Sequence, residues 1–207
     1  MKYGMMIVLG FLLTSPVMAQ ESVKIKALED KVATLEERLA RLEGIVTPVA
    51  KKVNAEQVAR DQQQKARERM KKDLEVYSAA ELREIESLYQ VANTKWRTQQ
   101  GKGSLELLIK KYDKANRTGC ALLYLGQMSK GEEKERYLED AIDDYSDCYY
   151  GNGVQVGPYA RLLLAYHYNG TGEKDDAKEL FEEVKKNFPD AISHKGVLLV
   201  DLIGKEK

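Results

Sequence analysis

The sequence predicts an all-α protein: an N-terminal coiled coil followed by an array of helical hairpins. Three observations predict it. Apolar residues recur at steps of three and four between residues 25 and 53. After residue 78, apolar helical stretches alternate with short Gly, Ser and Asn turns. An aromatic residue returns near the ends of successive hairpins, at Tyr112, Tyr145 and Phe188. No segment alternates cleanly enough to demand a sheet. Of the 207 residues, 32% are charged, above the usual quarter and as expected for long exposed helices. The 33 basic and 33 acidic residues balance, so the basic surplus expected of a nucleic-acid binder is missing. Two His and two Cys leave little material for an all-protein metal site, and no cofactor is expected.

Residues 1–19 have the layout of a secretory signal peptide. Lys2 supplies the positive start, and residues 5–13 (MMIVLGFLL) form the apolar run. Val17 and Ala19 fit cleavage before Gln20. The apolar run is too short to span a bilayer, which needs about 20 residues. The expected location is therefore periplasmic or secreted, with no transmembrane segment after signal cleavage.

Residues 20–53 carry the coiled-coil pattern. Ile25, Leu28, Val32, Leu35, Leu39, Leu42, Val46, Val49 and Val53 form an a/d seam flanked by Lys, Glu, Arg and Asp. A lone helix would leave this seam unburied, so self-association is expected. β-branched residues at most a positions with Leu at most d positions favour a homo-dimer. The run Arg38-Leu39-Ala40-Arg41-Leu42-Glu43 resembles a motif of short trimeric coils, so a homo-trimer stays open. Gly44 and Pro48 predict a kink or break. Residues 54–77 read as a polar helical connector, a solvated stalk of good helix formers.

Residues 78–207 read as the hairpin array. Ser78-Ala79-Ala80-Glu81 has the form of a capping box. Helices are predicted over 79–97, 104–115, 118–129, 133–148, 157–169, 173–187 and 190–203. The aromatic anchors lie 33 and 43 residues apart, and residues 149–158 account for the longer last unit. The same shifts align Leu88, Tyr89 and Ala92 with Ala121, Leu122 and Leu125, and then with Leu164, Ala165 and Tyr168. Units of about 34 residues with two helices each must stack to bury their apolar faces.

The last unit, 159–189, resembles a tetratricopeptide repeat through Leu164, Ala165, Tyr168, Ala177, Phe181 and Pro189. Asp113 and Ser146 stand in the first two units where the last has Pro189. The whole layout is similar to the Tol-Pal-associated periplasmic coordinator of cell division. That family forms coiled-coil oligomers and links outer-membrane constriction to wall synthesis. The resemblance implies a TPR-like array in an envelope scaffold.

Cys120 and Cys148 fall at comparable heights on either side of the Lys130-Gly131 turn, and a disulfide is expected in an oxidising compartment. His167 reads as a packed histidine, and Ser193-His194 lacks a third orienting group. There is no G-x-S-x-G, H-E-x-x-H or Walker motif. No catalytic residue is assigned, and the chain is expected not to be an enzyme. Tyrosines crowd residues 124–168, and Tyr124, Tyr159, Leu163, Tyr166 and His167 are the candidates for a peptide-binding face. The expected function is a non-catalytic periplasmic scaffold that oligomerises by its coil and binds an envelope protein or peptide through its repeats. The alternatives are an accessory factor for export or outer-membrane assembly, or a purely structural oligomeric protein. A groove bearing tyrosines favours binding, and a smooth charged surface favours the structural role.

Overall fold

The computed structural model describes residues 16–204; the side chains of residues 16–23, 43 and 45–54 are outside the description. The proposed signal sequence therefore lies mostly outside the described residues. Contacts divide the chain into two units, Met1–Lys51 and Lys52–Lys207.

The first unit holds the N-terminal part of α1 (Pro16–Val76). Every side chain from 24 to 42 is exposed. Ile25, Leu28, Val32, Leu35, Leu39 and Leu42 keep 52–60% of their surface in solvent. The side chains of Val46, Val49 and Val53 lie outside the described residues. Helix α1 continues through Gly44 and Pro48, where the sequence predicts a break. One proline removes a single backbone hydrogen bond, and the neighbouring residues keep theirs.

The second unit is all-helical. The rest of α1 is followed by α2 (Ala79–Thr94), α3 (Gln99–Lys111), α4 (Asn116–Met128), α5 (Glu132–Asp143), α6 (Val156–Thr171) and α7 (Lys174–Asn187). Each helix from α2 onward packs on the next, and α2 on α4 and α4 on α6, as in a helical-repeat array. A main apolar core runs from Ile85 to Leu164, and a smaller one joins Leu162, Val184, Ala191 and Leu199. The capping box at Ser78 is formed: its hydroxyl accepts from Glu81 N–H while the Glu81 carboxylate accepts from Ser78 N–H at 2.8 Å. Gly172, at φ +102°, closes α6 in the left-handed conformation.

The repeat anchors recur in hydrogen bonding as well as in sequence. Ala115, Cys148 and Ala191 N–H donate to Tyr112, Tyr145 and Phe188 C=O, at 3.1, 3.0 and 3.1 Å. The segment 149–158, which lengthens the last unit, has a counterpart after Phe188. Tyr149 pairs antiparallel with Gln155, and Ile192 with Leu198, the second bridge offset from the first by 43 residues. Tyr150 N–H donates to Val154 C=O, and Ser193 N–H to Val197 C=O.

Several expectations are corrected. The helix predicted over 190–203 is a turn and bridge, followed by a 3₁₀ turn at Leu199–Asp201. Gly196 takes φ +72° there, which interrupts helical backbone. Helix α3 starts at Gln99, before the predicted break, because Thr98 caps Gly101 N–H at 3.1 Å. Gly101 itself is buried against the Lys95 carbonyl, where a Cβ would collide.

The disulfide is not formed: Cys120 and Cys148 are free and buried. Helix α5 ends at Asp143, so Cys148 sits in a loop rather than on the facing helix. Gly119 faces it instead, and a Cβ there would lie 2.7 Å from Cys148 Cβ. Cys120 Sγ turns to the Tyr149 carbonyl at 3.4 Å, while Cys148 Sγ accepts from Arg69 Nη2 at 3.5 Å. Burial pushes both thiols up to about 12.

The connector is not a fully solvated stalk. Ala66, Gln62 and Asp73 are 0, 3 and 7% exposed. These residues and Arg69 lie on one face of α1 at helical spacing. That face packs on inter-helix loops of the second unit. Gln62 Nε2 donates to Asp190 C=O at 2.9 Å. Arg69 bonds Asp73 at 2.9 Å, and its Nε lies 3.2 Å from Asp147 Oδ2. Helix α4 has Ala115 at its N-cap and no side-chain cap of its own. Asp73 replaces it, accepting from Asn116 N–H at 3.0 and 3.2 Å. Lys65, Arg67, Lys71 and Lys72 stay exposed, as expected of a charged solvent face.

Candidate functional site: a carboxamide-lined groove

The groove is built from two helices and two loops. Helix α2 presents Tyr89, Gln90 and Asn93, and α4 presents Arg117, Tyr124 and Gln127. The 149–155 loop adds Tyr150 and Asn152, and the 192–198 loop adds His194. The space measures about 350 Å³. On each helix these residues are three, four or seven apart, or adjacent, so they share a face.

Aromatic rings make the floor. Tyr89 and Tyr150 are buried at 4 and 9% exposure, and Tyr124 is half-buried. Tyr150 O–H donates to Cys120 C=O at 3.0 Å, which turns its polar end inward. Burial raises the pKa of Tyr89, Tyr124 and Tyr150, so all three are neutral. Trp96, 39% exposed, stands edge-on to Tyr124 at 4.5 Å.

The polar groups above the floor are tied together. Arg117 forms a bidentate pair with Glu86, at 2.8 and 3.2 Å. Its guanidinium lies 4.4 Å over the Tyr89 ring. Gln90 Nε2 donates to Glu86 at 2.6 Å, and Asn93 Nδ2 to Gln90 Oε1 at 3.2 Å. The His194 ring stands edge-on to Tyr150 and Tyr159, at 4.7 and 5.2 Å. Burial lowers its pKa, favouring the neutral ring, and its Nδ1 lies 3.3 Å from Asn152 Nδ2. Gln127 also lines an adjoining space of about 450 Å³ with Arg97 and Lys102.

Chemically, the groove offers flat apolar area and carboxamides that both donate and accept. That combination suits the backbone of an extended peptide. Among the described residues, no group of three or more His, Cys, Asp or Glu could hold a metal ion. None of the described helices is long and apolar enough to cross a membrane.

The sequence candidates divide. Tyr124 lines the groove, and Tyr159 reaches it only through the His194 ring. Leu163 packs on the main core. Tyr166 lies against Phe181 at 5.2 Å and donates to Leu202 C=O at 2.9 Å. His167 Nε2 lies 2.8 Å from Glu135 Oε1, between α6 and α5. Sequence reasoning missed Gln90, Asn93, Gln127 and Asn152. For Gln90, Asn93 and Gln127 the one signal was carboxamides at helical spacing beside Tyr89 and Tyr124. No protein-family model, curated protein or solved structure matches the chain.

Proposed function

We propose that the protein is an exported, TPR-like scaffold of the bacterial envelope. It oligomerises through residues 20–53 and captures an extended segment of another envelope protein in the α2–α4 groove. The groove carries the reading: four carboxamides, Gln90, Asn93, Gln127 and Asn152, surround an aromatic floor. Amides satisfy a peptide backbone without demanding a particular side chain, while Tyr and Trp supply area at low entropic cost. The exposed seam from Ile25 to Leu42 supports the oligomeric half of the proposal, because such a stripe finds burial in partner helices. Several grooves on one assembly raise avidity without new contacts. The signal-like sequence of residues 1–19 and the resemblance of the layout to the cell division coordinator family support placing this activity in the envelope.

The test is site-specific photocrosslinking in native envelopes. A photoreactive residue at Gln127 should give a discrete adduct that disappears when Tyr124→Ala is added. The same residue at Lys110, on α3 and outside the groove, should not give it. An identical adduct from Lys110, or one indifferent to Tyr124→Ala, would reject the groove.

A further inference from the structure

A second groove lies between α5, α6 and α7, with a volume of about 400 Å³. Its floor is apolar: Ile142, Leu164 and Leu180. Its rim is acidic, with Glu139 and Asp143 on α5 and Asp176, Glu179 and Glu183 on α7. Glu183 pairs with Arg161 at 2.7 Å, and Glu139 accepts from Tyr168 O–H at 3.3 Å. Asp143, Asp176 and Glu179 have no cationic partner among the described residues.

The complement of that rim is on the same molecule. On α1, Arg60, Gln64, Arg67, Lys71 and Leu74 recur at steps of four and three, so they share one helix face. This stripe is exposed, opposite the face that packs on the loops. Leu74 is 67% exposed, the highest of the large hydrophobic side chains among the described residues. Arg60 and Arg67 donate to Gln57 and Gln64, not to a carboxylate. Arg60, Arg67 and Lys71 have no acidic partner among the described residues.

We propose that the acid-rimmed groove receives the Arg60–Leu74 stripe of a second copy of the chain. Lys71 and Arg67 meet the unpaired carboxylates, and Leu74 reaches the floor of Ile142, Leu164 and Leu180. This is a helix laid into a groove, with the apolar anchor giving affinity and the charges giving register. The two surfaces differ, so the contact is heterologous: it extends from copy to copy or closes a ring. It is independent of the seam at Ile25–Leu42 and of the peptide groove on α2 and α4.

Sedimentation of the full-length protein across a concentration series tests this. The mass should rise with concentration above its dilute-limit value and fall back as salt is raised to about 0.5 M. Arg67→Glu with Lys71→Glu should weaken this association roughly tenfold or more, and so should Asp176→Lys with Glu179→Lys. Mixing the two variants pairs an acidic stripe with a basic groove and should restore it. Leu74→Ser, which leaves every charge in place, should weaken it as well. Wild-type-like association by either charge variant, or a mixture that stays at the dilute-limit mass, would overturn the proposal. Unchanged association by Leu74→Ser would overturn it too.

Discussion

Asp73→Ala removes a carboxylate that serves two partners at once. It caps Asn116 N–H at the start of α4 and pairs with Arg69. Both ionic side chains are nearly enclosed, at 13 and 10% exposure. The buried N–H left without an acceptor costs about 1–3 kcal/mol. Breaking a buried ion pair costs about 3–5 kcal/mol when the remaining charge is stranded. Arg69 is not stranded, because Asp147 lies 3.2 Å away and the Lys114 carbonyl accepts from it at 3.4 Å. The expected loss is therefore about 2–4 kcal/mol in total. For a unit of this size, that lowers Tm by about 5–12 °C. Asp73→Asn keeps an acceptor for Asn116 and should lose about half as much. Urea unfolding followed by far-ultraviolet dichroism measures both. An Asp73→Ala loss within about 0.5 kcal/mol of zero would refute the view that α1 caps α4.

Four further outcomes follow from the same geometry. A fragment of residues 52–207 should melt like the second unit of the full chain. A fragment of residues 78–207 should melt lower, because it loses Gln62, Ala66 and Asp73 together. Replacing Leu35 and Leu42 with Asp should reduce the oligomer held by the seam, read by light scattering, without moving the melting of residues 52–207. Equal mass would show that another surface holds the chains. Both thiols should resist iodoacetamide in the native protein and react after denaturation, as intact mass will show, since burial keeps them protonated. Gly153→Ala should cost about 2 kcal/mol or more, since φ is +91° and the added Cβ would lie 2.9 Å from Gln63 N. Gly172→Ala, at φ +102° in open space, should cost only about 1 kcal/mol.

The hairpins were legible because their signals are local and apolar. The box at Ser78, the turn at Lys130-Gly131 and the stop at Gly172 mark boundaries by rules that need no distant partner. The inner face of α1 was not legible. Gln62, Ala66, Arg69 and Asp73 include one small apolar residue, so hydrophobic periodicity passes over them. Their burial depends on hydrogen-bond partners far along the chain, such as Asp190 and Asn116. The end of the chain misled because the mostly apolar residues 197–203 suit a helix until Gly196 and the bridge at Ile192 are seen. The shift of 43 residues that equates Gly153 with Gly196, and Val154 with Val197, was the available clue. The disulfide expectation failed on register: matched heights did not fix which residue of α4 faces Cys148. The groove was half legible, since Tyr124 stood out while the amides around it looked like solvated surface.

Asn116 gives the bridge at Tyr149 and Gln155 an unusual neighbour. The inward ladder bonds are made by Tyr150 with Val154 and Val156 with Cys148, so the Tyr149 backbone turns outward. Asn116 accepts from Tyr149 N–H and donates to Tyr149 C=O, both at 2.7 Å. One side chain thus takes the place of an adjacent strand. An open β edge invites a foreign chain to pair with it, which is how many proteins begin to aggregate. Here the vulnerable position is already occupied, and by a group too short to propagate a ladder.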